Sequence, residues 1–445
     1  MSFLDLDIRP GQGVGIFELG ASLWTVLDLL REDRTRYPHV DVKFDTTQPA
    51  ISPILLHLRP HIDLLFSPRA QRLHTISIRR LRHLPNSSSP ANLTLRYSPH
   101  GRSESPVNRA DSPGGGGSHE SLILSSPTTV LRKSGVNKIF GPTYQGDTLS
   151  FPGIWFSFDE DGGSPLPYSH LHHPSSPPLG AMSTTPPSGK GSVDRNAEVK
   201  RVAVCQRVKD AYDALGEVLE CPSMEGEVRT VIAEPRKGVA LYFHSISQDP
   251  PPSVHIRIGH TTSEDLICDL GSPLRVFYKE DDRMTIHSGK GLQEPDEAYF
   301  YNYFQYGMDV LLSGTSHKVR KIILHSNLPG SFLFQRYKRC PWEIHVNGSD
   351  PDRGMSYFPQ RCRKKQWQNN YVSAPNIARL GSRIDTVGPL LQTSSHQEPP
   401  SMVLDRAADV PNGPTLPSGL TKLLGFDGVV MEVTDLGDIL SVMLF

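Results

Sequence analysis

The chain has 445 residues, with 46 Lys and Arg against 47 Asp and Glu and a formal net charge of -1. This length makes two or three domains, or one domain built of repeats, and the balanced charge gives no global pull toward nucleic acid or an anionic membrane. The opening Met1–Asp7 carries acid where a secretory leader carries base, and no apolar run reaches the ~20 residues that span a bilayer, so a soluble, cytoplasmic protein is expected.

Gly11-Gln-Gly-Val-Gly15 opens the chain with the look of a nucleotide loop. The dinucleotide fingerprint would need its third glycine where Ile16 stands, and no Gly-Lys-Ser or Gly-Lys-Thr follows, so a plain turn is expected. Trp24–Leu30 places apolar residues at helical spacing behind Ser22 as cap. An extended piece, Val40–Phe44, leads to a strand pair: His61–Phe66, a turn at Ser67-Pro68, then Leu73–Ile78. From about Asn86 to Ser126, and again from about Gly162 to Glu198, Ser, Pro and Gly displace aliphatic residues, and disorder is expected there. Between and after these inserts lie the β-prone segments Phe151–Phe158, Val202–Val204, Val239–Phe243 and Val254–Ile258.

The first pattern then returns. Ser263–Leu270 is a helix stopped by Gly271, with Ser263 as its expected cap. Leu274–Tyr278 is extended, and Gly307–Leu312 pairs with Val319–Leu324 across a turn at Ser313-Gly314. A third return follows an irregular stretch from Asp350 to Arg383. Its helix, Asp385–Leu391, contains Gly388 and Pro389, which argue for a break or kink. Met402–Leu404 and the strands Gly428–Val433 and Ile439–Leu444 complete it, with a turn one residue shorter. The expected fold is α+β, mostly antiparallel sheet, with helix, strand and hairpin used three times. The expected boundaries are 1–85 for the first module, 86–130 and 162–198 for the inserts, and 131–161 for a hairpin segment. A central β portion at 199–260, a second module at 261–346, an irregular 347–383 and a degenerate third module at 384–445 complete the list.

Little in this pattern carries chemistry. Cys205, Cys221, Cys268, Cys340 and Cys362 stand far apart with no Cys-x-x-Cys pair, so reduced thiols are expected, with neither metal site nor cofactor. His170, His172 and His173 fall in an insert with nothing rigid to hold a coordination geometry. His287 or His325 beside Asp309 is the one arrangement that suggests hydrolysis, and no serine or cysteine has an elbow context to join it. Two surfaces remain as binding candidates. Tyr299, Tyr301, Tyr303, Phe304 and Tyr306, with Trp342, read either as core or as a protein-docking patch. Arg79, Arg80, Lys318, Arg320, Lys321, Arg336, Lys338 and Arg339 read either as a solvated face or as contacts to anionic lipid.

The second return is specific enough to resemble a known family. Asp269–Pro273, Val276–Ser288, Tyr301–Phe304 with Gly307-Met-Asp309, Thr315–Gly330 and Tyr337–Trp342 are similar to a signature of the phagosome assembly factor 1 family. Phe140–Gly146 followed by Phe151–Phe158 resembles its second signature, echoed by Gly413-Pro-Thr415. The chain departs from the pattern in its two long Ser/Pro-rich inserts and in 350–383, where the tryptophan-bearing lead-in to the last helix is missing. The resemblance implies a non-enzymatic adaptor in autophagy with no catalytic residues. It also implies a partner, the β-propeller protein breast carcinoma amplified sequence 3, and recruitment of the pair to the phagophore assembly site. The propeller would be the main reader of phosphoinositide, leaving contact with the autophagic membrane indirect. No nucleic acid and no small-molecule substrate are expected. The rival expectation is a trafficking module that binds phosphoinositide directly.

Overall fold

A computed structural model describes residues 4–79, 81, 93–97, 122–143, 148–158, 195–207, 217–248, 250–278, 298–345, 377–392, 399–405 and 420–445. The chain divides into two compact units. One is Met1–Thr47 with Ser52–Ser223; the other is Gln48–Ile51 with Met224–Phe445.

In the first unit, β1 (Leu4–Arg9), β2 (Gly13–Val14) and β3 (Phe17–Glu18) lead to α1 (Leu23–Glu32). β4 (Val40–Lys43), β5 (Ile54–Leu58), β6 (Ile62–Phe66) and β7 (Leu73–Arg79) follow. A second round has β8 (Leu93–Tyr97), β9 (Leu122–Ser125), α2 (Lys133–Phe140), β10 (Thr148–Phe151), β11 (Ile154–Ser157) and β12 (Arg201–Cys205). The second unit repeats this plan. Its first half is β13 (Val228–Glu234), β14 (Gly238–Phe243), β15 (Ser253–Arg257), α3 (Ser263–Leu270), β16 (Arg275–Tyr278), β17 (Tyr299–Tyr303), β18 (Met308–Leu312) and β19 (Val319–His325). Its second half is β20 (Trp342–His345), β21 (Ile377–Arg379), α4 (Ile384–Leu391), β22 (Ser401–Asp405), β23 (Leu420–Phe426), β24 (Val429–Thr434) and β25 (Ile439–Leu444).

Each unit holds a five-stranded sheet and a larger one. The orders are β3-β2-β1-β8-β9 and β10-β11-β12-β7-β6-β5-β4 in the first unit. In the second they are β15-β14-β13-β20-β21 and β16-β17-β18-β19-β25-β24-β23-β22. All pairs are antiparallel except β1 with β8 and β13 with β20, where the two halves of each small sheet meet. The described residues are mostly antiparallel sheet with four helices, consistent with an α+β or a mostly-β class.

The recurrence is visible in backbone detail. The residue just before each helix forms an isolated bridge near the start of the last strand of its round: Ser22 with Arg72, Arg132 with Glu198, Thr262 with Lys318 and Arg383 with Asp438. The hairpins β6–β7, β18–β19 and β24–β25 bulge at one common position: between Leu65 and Phe66, Leu311 and Leu312, and Glu432 and Val433. Their turns each hold a residue of positive φ immediately before the bridge, Gln71 at 51°, His317 at 54° and Gly437 at 82°. The recurrence is thus four-fold where the sequence suggests three. The extra round was hidden because its hairpin strands, β11 and β12, pair as Ile154–Val204 through Ser157–Arg201 across more than forty intervening residues. The 199–260 portion is accordingly split: 201–205 pairs with β7 and β11 in the first unit, and 228–257 builds the second.

Local chemistry explains the helices. The Ser22 hydroxyl accepts the Thr25 N–H (3.1 Å), and α1 buries Leu23, Val26, Leu27 and Leu30 on one face. α3 is capped by Thr262 rather than Ser263. The Thr262 hydroxyl accepts the Asp265 N–H (3.2 Å), and the Asp265 carboxylate accepts the Thr262 N–H (2.8 Å), a reciprocal capping box. α4 runs through Gly388 and Pro389 without ending, and the Gln392 N–H still reaches the Gly388 carbonyl (3.0 Å). The glycines near the start make a turn between β1 and β2, not a phosphate cradle. The Gly11 N–H donates to the Gly153 carbonyl (3.0 Å), and a Cβ on Gly153 would collide with the Gly11 backbone.

Candidate functional site

The aromatic segment lies mostly inside the second unit. Tyr299, Tyr301 and Tyr303 alternate along β17 on the face that packs with α3 and the small sheet, where Tyr299 and Tyr303 join the core with Leu266, Leu270 and Trp342. The Tyr303 and Tyr306 hydroxyls donate to the Gly271 and Leu270 carbonyls (both 3.2 Å), satisfying acceptors that the end of α3 leaves open. Tyr303 stacks on Tyr306 at 6.0 Å, Tyr306 meets Phe243 edge-on at 5.9 Å, and the Tyr299 hydroxyl lies 2.9 Å from His317 Nδ1. Burial pushes the hydroxyls of Tyr301, Tyr303 and Tyr306 up from the usual phenol range, so all three remain donors. Trp342 is fully buried and donates its indole N–H to the Ser326 hydroxyl (3.1 Å). Tyr299, Tyr303 and Trp342 are therefore buried in the core of this unit. Tyr301, Phe304 and Tyr306 are half-buried.

The exposed apolar surface stands one strand further out. Among the described strands β16 ends the eight-stranded sheet and pairs only with β17, in the register Val276–Tyr301, Phe277–Phe300 and Tyr278–Tyr299. Leu274, Val276, Phe277 and Tyr278 are 56%, 41%, 48% and 66% exposed. α3 turns Ile267, Glu264 and Asp269 to solvent. The Asp265 carboxyl, held below its ordinary range by the Thr262 N–H and hydroxyl, belongs to the cap. Sequence reading treated 274–278 as a plain extended piece. Its signal is Val276-Phe-Tyr278, three apolar residues in succession behind the single charge of Arg275, on an edge strand that normally protects itself with charge.

The basic candidates do not form one patch. Arg79 reaches inward, with Nη2 2.7 Å from the buried Asp63 carboxylate and from His57 Nδ1. Lys338 pairs with Glu227 at 2.5 Å, and Arg339 is 7% exposed with Nε donating to the Ser326 carbonyl (2.9 Å). Arg336 lies over the Phe304 ring at 5.5 Å. Lys318 and Arg320 are exposed near the β18–β19 turn, and Lys321 is half-buried. Arg80 lies outside the described residues. Arg79, Lys338 and Arg339 thus each have internal partners.

Asp309 and His325 do meet. His325 Nε2 is 2.8 Å from Asp309 Oδ2, the Tyr337 hydroxyl donates to the same oxygen (2.7 Å), and Asn302 Nδ2 donates to Oδ1 (2.7 Å). The His325 and Tyr337 rings stack at 3.8 Å. Burial, then the Asp309 charge, push the Tyr337 hydroxyl far above the ordinary phenol range, so it stays protonated as a donor. The adjoining crevice holds about 10 Å³, room for roughly one water. Its serines are committed elsewhere: Ser331 Oγ donates to the Leu328 carbonyl (2.7 Å) and Ser441 Oγ to Glu432 Oε2 (3.3 Å). A carboxylate held by three partners behind packed side chains suits cross-linking of strands, and the crevice's serines hydrogen-bond elsewhere. His287 and the His170–His173 cluster lie outside the described residues, among which no group of three His, Cys, Asp or Glu could hold a metal.

Comparison with known proteins bears on what these surfaces are for. A protein-family model described as phagosome assembly factor 1 matches residues 13–86 and 118–445. The chain belongs to the phagosome assembly factor 1 family. The PHAF1 protein of Arabidopsis thaliana is 24% identical over 460 residues, covering 99% of this chain and 92% of the relative. That of Drosophila melanogaster is 25% identical over 470 residues, covering 99% and 94%. That of Caenorhabditis elegans is 24% identical over 381 residues, covering 78% and 79%. No solved structure matches the chain. Among the described residues no helix is long and apolar enough to cross a membrane. The family match takes in both units and β16.

Proposed function

We propose that this chain is an assembly factor of phagosome and autophagy-related machinery that acts by holding other proteins and not by turnover. The observation that carries the reading is the family match over 13–86 and 118–445, whose printed description is an assembly factor. The exposed apolar edge at 274–278 supplies a surface of the kind protein docking uses, and the one Asp–His pair suggested by sequence is spent on strand cross-linking. In the finer reading, the partner is a β-propeller protein of the breast carcinoma amplified sequence 3 type, and the pair is recruited to the phagophore assembly site. Membrane contact is then indirect. This rests on the resemblance carried by Asp269–Pro273, Val276–Ser288 and Thr315–Gly330.

The test is affinity purification of the tagged full chain with mass spectrometry, joined to imaging in starved cells. Co-purification of a propeller protein, with loss of autophagic recruitment when that protein is absent, is the expected result. Unchanged recruitment without it would overturn the finer reading. The rival, direct phosphoinositide binding, is favoured by Lys318 and Arg320 being exposed at one turn. Flotation of the purified chain with phosphatidylinositol 3-phosphate vesicles, but not with phosphatidylcholine alone, would select it.

A further inference from the structure

We infer that copies of this chain join head to tail through the eight-stranded sheet, the β16 edge of one copy pairing with the β22 edge of the next. Such joining goes beyond the assembly-factor reading and does not depend on it. Among the described strands β16 and β22 are the two ends of this sheet, and each has one side of its backbone without a ladder partner. Both ends are apolar: Leu274, Val276, Phe277 and Tyr278 are exposed on one, and Met402 and Val403, each 58% exposed, on the other. Edge strands normally blunt themselves with charge, proline or a cover. The other large sheet does so at β4, which carries Asp41 and Lys43, with Asp41 tied to Arg59 (2.6 Å). Its far end, β10, exposes no large apolar residue.

The occupant is a second copy because the two ends match each other in direction, hydrogen-bond phase and face. Eight strands paired antiparallel throughout leave β16 and β22 running in opposite directions. A copy set beside the first with its faces the same way up therefore brings them together antiparallel. The seven antiparallel strands of the other large sheet leave its ends running the same way. Phase follows from the alternation of an antiparallel ladder. The Gly425 N–H bonds the Pro400 carbonyl (2.9 Å), which turns the main chain of Ser401, Val403 and Asp405 to the open side. The His325 N–H bonds the Gly307 carbonyl (2.9 Å), and the same alternation carried across β18 and β17 turns out Val276 and Tyr278. Side chains agree as well. Val276 and Tyr278 share a face with Tyr301 and Tyr299, and Val403 lies in the row of Lys422 and the core residue Val433 on that same face. Setting Val276 opposite Val403 continues the ladder there and places Phe277 opposite Met402 on the other face, where thioether and ring suit each other. The single charges of the two strands, Arg275 and Asp405, are of opposite sign and fall at the same end of this ladder, so no like charges meet. One kind of joint thus occupies both ends, and a joint that does not close on itself grows an open chain.

The test is sedimentation velocity of the purified full chain. A joint of four or five residues per strand is smaller than a standard interface, so reversible growth past the dimer is expected between about 5 and 500 µM. V276K/Y278K blocks one end and M402K/V403K the other; all four positions are exposed, so thermal unfolding should not change. Each variant alone should stay monomeric. An equimolar mixture of the two keeps one intact β16 and one intact β22, and should form a dimer and stop there. In the parent, the amides of Val276, Tyr278 and Val403 should gain protection from hydrogen exchange as concentration rises. A parent that stays monomeric, or that stops at a dimer, would overturn the proposal. So would growth by either variant alone, or a mixture that remains monomeric. Protection of those amides in the dilute chain would do the same, because the chain itself would then cover its ends.

Discussion

Asp63 and Asp309 hold the same place in their hairpins, two residues after His61 and Gly307, each buried and facing a polar residue on the neighbouring strand: His57 and Asn302. Arg79 and His325 likewise correspond, each closing its hairpin on the carboxylate. In the last hairpin the matching positions hold Val430 and Phe445, and in the second round the buried Trp155 and Cys205. One fold therefore accepts a polar or an apolar solution at one site, as expected if a buried ion pair adds little net stability over good packing. Breaking the pair is different, because it strands the remaining partners. D309A should cost about 3 kcal/mol or more in urea unfolding, while D309V/H325F/Y337F should lie nearer the parent. A single variant no worse than the triple would refute this. Asp309 and His325 stand out in the sequence; Asn302 and Tyr337 do not, since only strand register and a return loop bring them to the carboxylate. The thiols divide by the same rule. Burial pushes the Cys340 thiol far up from its ordinary value and Cys205 is buried, whereas Cys268 is exposed on α3. Iodoacetamide mapping of the native chain should label Cys268 well before Cys205 or Cys340.

At the scale of elements, the helix caps are local and so largely readable. Ser22 was legible because its hydroxyl and α1 are adjacent in sequence. Thr262 was missed by one residue because both it and Ser263 can cap, and the choice is settled by the bridge of Thr262 to Lys318. T262A should cost about 1 kcal/mol of local stability, seen as faster amide exchange in the first turn of α3. The Asp265 carboxyl is held below its ordinary 3.8, so its capping contribution is complete at neutral pH. That contribution is lost only as pH falls below the ordinary value and through the lowered native one. Relative to D265N, protection in α3 should persist down to about pH 4 and then decline. A difference that is flat with pH would exclude the box. α4 shows the limit of local rules: Gly388 and Pro389 argue against a helix, yet Val387 and Gly388 are buried in it and tertiary packing overrides the propensity.

For the whole molecule, the hairpin β11–β12 is closed by a long connection, while its register matches a short turn. Loop length enters stability only logarithmically. Deleting residues 160–193, while keeping Ala197 and Glu198 that bond to α2, should leave the thermal midpoint within a few degrees of the parent. A collapse of the midpoint would show that those residues do more than connect. The same connection concealed the fourth round, since repeat detection by eye depends on spacing and a long insert destroys it.

The sequence alone determined what depends on near neighbours: a mostly antiparallel sheet with few helices, the hairpins β6–β7, β18–β19 and β24–β25 with a turn shortened in the last, the Ser22 cap, and the signature stretches that mark the family. Tertiary structure alone decided what depends on strands brought together from afar. It united β11 with β12, turned Tyr303 and Trp342 into core, drew Arg79 inward to Asp63, and left Leu274–Tyr278 at an open edge. The physical reason is that burial is a property of position in a sheet, and that position is set by pairings between residues far apart in the chain.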